Sequence, residues 1–340
     1  MPSAWGSKET RFFYQLTPDI ILDAVETTGL RATGRFLQLN SMENRVFEVE
    51  VEPDPSVLPN HRTGPENFRV IKFYRPGRWT SEQIADEHQF LADLREADIP
   101  VVSPLPLQDG ASLGTLHGIG IHYAVFPKIG GRCPDELNPF QLDAIGRLLA
   151  RLHNVGAARP APSRITLDPE TYGWDNVDYL LETDVIPREI RDRYADVVEE
   201  ICDRSFPWFE AATNLRLHGD AHLGNLLWND DGPFWVDFDD MVNGPAIQDL
   251  WLVAPGRDPD GIAARERLLD AYRTMREFDS RELRLIEPLR ALRYIHFSAW
   301  ISRRWADPAF QRKFDDFGTK RYWQQQLADL EEILPLLDFA

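Results

Sequence analysis

The run His218-Gly219-Asp220-Ala221-His222-Leu223-Gly224-Asn225, followed by Val236-Asp237-Phe238-Asp239-Asp240, puts carboxylates and an amide at the ends of short apolar segments. Asn225 comes five residues after Asp220, and Asp237 twelve after Asn225. Phosphoryl transfer needs such a set: one carboxylate to orient and deprotonate an attacking hydroxyl, and hard oxygen ligands to hold Mg²⁺ against phosphates. Asp220 suits the first role, and Asn225 and Asp237 suit the second. No Cys/His cluster offers a zinc site instead.

A second pair stands far upstream. Lys72 lies in Val70-Ile71-Lys72-Phe73, a run with strand character. Glu87 falls on the apolar stripe of a helix that Thr80 and Gln83 open with a capping pattern, among Ile84, Leu91 and Leu94. A carboxylate buried alone on such a stripe is costly, so an ion pair with Lys72 gives it a physical reason. Asp86 is the second candidate partner.

These residues need elements to hold them. A short helix is expected from Pro18 to Gly29, and strand-like alternation at Arg35–Leu39 and Arg45–Val51 flanks the polar turn Asn40–Asn44. A loop over Pro53–Pro65 precedes a third strand at Asn67–Tyr74. Further strands are expected at Val101–Val102, Gly114–Gly118 and Ile121–Phe126, the last ending in Pro127-Lys128-Ile129-Gly130-Gly131. Beyond that linker the pattern is helical, at Pro139–Asn154, Pro187–Asp203, about Arg281–Trp305 and Tyr322–Leu337. The organisation is an N-terminal lobe at 1–126, a hinge at 127–132 and a larger helical lobe at 133–340.

With 340 residues, 43% hydrophobic and 27% charged, the chain has material for two lobes with real cores. Fifty-five acidic against 37 basic residues give a net charge of -18, which argues against nucleic-acid binding. Two cysteines, Cys133 and Cys202, make no disulfide framework, and neither a signal-peptide core nor a membrane-spanning apolar run is present. A cytoplasmic monomer is expected.

The H-G-D-x-x-x-x-N run with its downstream V-D-F-D resembles the catalytic and metal-binding segments of the aminoglycoside phosphotransferase and choline kinase superfamily. The blocks Asn40-Ser41-Met42-Glu43-Asn44, Lys72-Phe73-Tyr74-Arg75-Pro76, Glu87-His88-Gln89-Phe90, Gly244-Pro245-Ala246-Ile247-Gln248-Asp249 and Arg303-Arg304-Trp305-Ala306-Asp307 are similar to its bacterial stress-response kinases. The resemblance implies an α+β, bilobal protein-kinase-like fold, with a small antiparallel-sheet lobe carrying one main helix and a larger, mostly helical lobe. It implies transfer from ATP with Mg²⁺ to an acceptor hydroxyl, on Ser or Thr of a protein. The runner-up acceptor is a small hydroxyl compound of the choline, homoserine or aminoglycoside kind, and a third reading is a nucleotide-binding pseudoenzyme.

On that resemblance Asp220 is the base, and Asn225 and Asp237 hold the metal. Lys72, paired with Glu87, positions the phosphates; Ser41 and Asn44 approach ATP from the turn; and Phe126 and Lys128 belong to the hinge that meets adenine. Asp249 braces the catalytic loop and His218 buttresses it, while Asp239 is open between assisting the metal and capping a turn. The turn departs from the usual phosphate-covering pattern in having no glycine, and no Ala-Pro-Glu segment follows Asp237-Phe238-Asp239. His153 reads as a packed helix-end residue. Arg290, Arg293 and Arg304 line one stripe of the late helix; one reading is a wall facing phosphate or an acidic substrate, and the favoured one is pairing with surface carboxylates.

Overall fold

Alternation in Arg45–Val51 (β2) sends Phe47, Val49 and Val51 to one side, where they meet Ile71 and Phe73 of Phe68–Phe73 (β3) and Tyr123 and Val125 of His122–Pro127 (β5). Pro18–Glu26 (α1), capped by the Thr17 side chain, closes that face with Ile21, Ala24 and Val25. With Ala32–Gln38 (β1) and the two-residue Gly114–Thr115 (β4), these strands form an antiparallel sheet of order β1-β2-β3-β5-β4. The computed structural model describes residues 13, 15–53 and 64–338. Most of the expected Pro53–Pro65 loop, and the leading residues up to 12, lie outside them.

The register fixes what the other face carries. Lys72 sits opposite Val46 and Ala124, and Val70 opposite Phe126. Because side chains alternate, Lys72, Phe126 and Lys128 all point away from the α1 face. Ser81–Glu96 (α2) begins with a complete capping box between Thr80 and Gln83, and its buried residues include Ile84, Glu87, Leu91 and Leu94. The expected Val101–Val102 strand reduces to one parallel bridge from Val101 to Trp235. Two residues are too few to close a ladder.

The second unit is mainly helical. Pro139–Gly156 (α3) has an Asn138/Gln141 capping box and packs on Pro259–Arg273 (α7), where Gly146 lets the Leu268 carbonyl approach: an added Cβ would lie 2.4 Å from it. Asp175–Glu182 (α4), Arg188–Glu210 (α5), Ile286–Arg303 (α8), Pro308–Lys313 (α9) and Lys320–Ile333 (α10) complete it, with Ile247–Val253 (α6) buried throughout. Leu215–Leu217 (β6) pairs with Val242–Gly244 (β9). Leu226–Asn229 (β7) and Gly232–Trp235 (β8) form a hairpin, most of which groups by contacts with the first unit, through the Arg132–Trp228 and Val101–Trp235 bridges. The first unit thus holds the described residues to Cys133 and Leu227–Val236, and the second Pro134–Leu226 and the described residues from Asp237. No described helix is long and apolar enough to cross a membrane.

Candidate active site

In the first unit, Lys72 Nζ lies 3.2 Å from Glu87 Oε1, and both side chains are buried, 8% and 1% exposed. The ammonium also stands over the Tyr74 ring at 4.5 Å and the Phe126 ring at 5.7 Å. Tyr74 is held in turn by its hydroxyl on His88 Nε2 at 2.9 Å. The pairing expected for Lys72 is therefore made by Glu87. Phe126 is half-buried, and Lys128 ion-pairs with Glu48 and covers the Phe68 ring.

The 40–44 turn is braced from inside. Asn44 is 3% exposed; its Oδ1 accepts from Arg75 N at 3.0 Å, and its N donates to Ser41 Oγ at 3.3 Å. The Arg75 guanidinium donates to the carbonyls of Glu43 and Met42 and ion-pairs with Glu43. This buried arginine fixes a turn that lacks glycine, so Asn44 is anchored inward and Ser41 is the better exposed of the two.

In the second unit, β6 delivers the chain to His218 and Gly219, whose N–H groups donate to Asp249 Oδ2 and Oδ1, each at 2.9 Å. His153 Nε2 sits 3.1 Å from Asp249 Oδ2, and His153 Nδ1 2.9 Å from the Tyr272 hydroxyl. All four side chains and backbone groups of this knot are buried, so His153 is a packed residue with a bracing role. His218 lies under the Phe238 ring, 4.4 Å away, and accepts from Asp220 N through Nδ1. Gly219 adopts φ +84, and a Cβ there would meet the Asp240 carbonyl at 2.1 Å.

The loop then folds on itself. Asn225 Nδ2 donates to the Asp220 carbonyl at 3.0 Å and to Asp220 Oδ2 at 3.3 Å. His222 Nδ1 accepts from Gly224 N, leaving Nε2 to donate to Asp220 Oδ2 at 3.2 Å. Burial works against the ionised Asp220 carboxyl, but the bond from His222 and the charge of Arg293 outweigh it and hold it far below the carboxylate range. The same bond raises His222.

With its amide nitrogen committed, Asn225 keeps a side-chain carbonyl oxygen to which no described residue donates. Asp237 is exposed in the left-handed backbone region at φ 60, and its charge reaches His222. One amide oxygen and one exposed carboxylate suit Mg²⁺, which completes its shell with water and phosphate rather than a protein cage. In keeping with this, no cluster of three or more His, Cys, Asp or Glu among the described residues could hold a metal by itself. Asp239 is buried, and its carbonyl accepts from Arg164.

The arginine stripe needs correction. Arg290 does pair with a carboxylate near the surface, Glu287, at 3.2 Å, and donates to the Pro255 carbonyl. Arg293 instead donates to Asp220 Oδ1 at 2.8 Å. A helical stripe reveals which residues share a face but not what lies opposite, and the partner here is 73 positions upstream.

The sequence profile of the phosphotransferase enzyme family (APH) matches residues 39–286. Stress response kinase A of Escherichia coli (strain K12) is 39% identical over 321 residues, covering 94% of this chain and 93% of that one. Serine/threonine protein kinase RdoA of Salmonella typhimurium (strain LT2) is 37% identical over 326 residues, covering 96% and 94%. Among solved structures, amicoumacin kinase hAmiN in complex with AMP-PNP, Ca²⁺ and Ami matches with TM-score 0.66 at 17% identity, over 91% of this chain and 96% of that one. Spectinomycin phosphotransferase APH(9)-Ia matches with TM-score 0.65 at 12% identity, over 94% and 99%. The expected α+β bilobal kinase-like fold is thereby borne out, and the chain belongs to the phosphotransferase enzyme family as a kinase-type phosphotransferase.

Proposed function

We propose that this chain transfers the γ-phosphoryl of ATP to the hydroxyl of a protein Ser or Thr, as the name of the Salmonella relative states, with Asp220 as base, in the stress-response role that the Escherichia coli relative's name states. The acceptor oxygen bonds to the γ-phosphorus as the β–γ bridging bond breaks. Its electron pair leaves on ADP, and the hydroxyl proton passes to Asp220. Lys72, held by Glu87, aligns the phosphates; Ser41 and the turn backbone cover them; Phe126 and Lys128 flank the adenine strand. Asn225 and Asp237 would hold Mg²⁺, which when bound neutralises charge on the transferring phosphates.

The observation that carries this reading is the 220–225 loop. Asn225 spends its amide nitrogen on Asp220, which fixes the base and frees a hard oxygen in one stroke. Asp220 stays ionised against its own burial, as a group that must accept a proton requires.

The test is transfer from γ-labelled ATP with Mg²⁺ to a generic basic protein and to a panel of small hydroxyl compounds. Asp220→Asn should bind nucleotide and lose transfer by about a hundredfold or more. Asp237→Ala should lose Mg²⁺-dependent nucleotide binding. Equal turnover in wild type and Asp220→Asn refutes the base assignment, and label confined to small compounds moves the acceptor to the metabolite class.

A further inference from the structure

Both oxygens of Asp220 accept hydrogen bonds. Oδ1 accepts from Arg293 Nη1 at 2.8 Å, and Oδ2 lies 3.2 Å from His222 Nε2 and 3.3 Å from Asn225 Nδ2. A hydroxyl that is to give its proton to this carboxylate must come in beside one of those donors or take its place. His222 and Asn225 are each tied to the loop by a second bond, to Gly224 N and to the Asp220 carbonyl. Arg293 reaches in from α8 with a side chain 40% exposed, and has no other hydrogen-bond or ion-pair partner among the described residues. It is the contact with the fewest ties and the most easily exchanged.

Moved off Oδ1, the guanidinium is left without its counterion and open to another anion. Arg290 is already neutralised by Glu287 and lies over the Trp251 ring, and Arg303 is spent on Asn176 and the Tyr179 ring. Arg293 therefore differs from its neighbours on the helix in being bound only to the reacting group. We infer that Arg293 is an acceptor-specificity residue: it yields Oδ1 to the incoming hydroxyl and binds an acidic group carried beside that hydroxyl, such as an Asp or Glu flanking a Ser or Thr. This rests on Asp220 as the base, and the transfer step is the one given above, with the proton arriving on Oδ1.

Charge supports the assignment. A chain of net charge -18 repels an acidic acceptor at a distance, so recruiting one takes a local cation, and that same cation disfavours a cationic acceptor. One turn along α8, Phe297 is 41% exposed and stacks on Trp300 with centroids 5.7 Å apart. It offers an apolar ledge on the Arg293 face for the segment next to the acid.

The test compares full-length wild type, Arg293→Met, Arg293→Lys and Asp220→Asn on Ser/Thr peptides with acidic flanks and on the same peptides with Asn and Gln in their place. A parallel arm uses small hydroxy acids and their amides. Wild type should favour the acidic member by about tenfold or more in kcat/KM, Arg293→Met should bring the ratio to about one, and Arg293→Lys should restore part of it. Preference in the peptide arm places the acid in a protein, and preference in the small-molecule arm alone places it in a metabolite. Equal rates on both members in wild type, or a ratio unchanged in Arg293→Met, overturn the inference while leaving Asp220 in place. Full turnover by Asp220→Asn overturns the underlying reading instead. If neither arm is labelled, acceptor-free ATP hydrolysis decides: acetate, but not acetamide at matched ionic strength, should accelerate wild type and not Arg293→Met, and no acceleration counts against the inference.

Discussion

Asp249→Asn changes one atom and should disable the catalytic loop. The carboxylate is fully buried and accepts three hydrogen bonds, from Gly219 N on Oδ1 and from His218 N and His153 Nε2 on Oδ2. An asparagine has one acceptor oxygen. In its cheaper orientation the amide oxygen keeps His218 N and His153, while the NH₂ group faces Gly219 N, donor against donor. Two buried polar groups are then stranded, at roughly 1–3 kcal/mol each, so the cost is about 2–6 kcal/mol. Against a typical stability of about 5–15 kcal/mol the variant remains foldable but much weakened. Urea denaturation should show a lowered midpoint with the slope kept. Because His218 and Gly219 lead directly into Asp220, a shift of about 1 Å there should lower kcat by about a hundredfold. Midpoint and turnover both close to wild type would refute the bracing role.

Three further outcomes follow from the same unit and its partner lobe. Glu282 is buried, accepts from Ile247 N at 3.0 Å, and has its pKa pushed up to about 7, chiefly by burial. A raised acid means that the folded state holds the proton more tightly, so this group's contribution is full below the unfolded pKa near 4.5 and is lost as pH rises to about 7, by about 3 kcal/mol. Glu282→Gln should remove that slope and unfold at higher urea than wild type at pH 8, whereas parallel pH profiles would exclude it. Gly219→Ala, with its left-handed φ and a Cβ pressed on the Asp240 carbonyl, should cost about 2 kcal/mol or more and abolish transfer, and a crystal structure with unmoved 219–220 backbone would contradict this. Lys72→Met removes a cationic partner of a buried glutamate and should destabilise by about 3 kcal/mol; adding Glu87→Leu should recover most of the stability and none of the transfer, and a double variant no more stable than the single would break the argument.

What the sequence discloses depends on how far apart the interacting residues lie. The Thr80/Gln83 box and the Asp220–Asn225 loop are read directly, because their bonds span three and five residues. Glu87 is found from afar by a thermodynamic argument: a charge on an apolar stripe demands a counterion, and Lys72 supplies it. That reasoning fails where the stripe is not apolar. Pro259–Arg273 receives no helix in the sequence reading because its buried residues, Leu268, Leu269, Ala271 and Tyr272, crowd its C-terminal half and extend the apolar period over little more than one turn. The Asp258 cap and Pro259 at the first position are the signals that could have found it. Arg75 braces the turn from more than thirty residues away, through bonds to backbone carbonyls that leave no mark on side-chain pattern. Arg293 fails for the opposite reason. Three arginines on one helix face look like solvent-facing charges, and in an acidic chain surface carboxylates are the cheaper guess. Yet acidity makes an arginine on the carboxylate proposed as the base more consequential. The residue that reads as surface chemistry is the one bonded to Asp220.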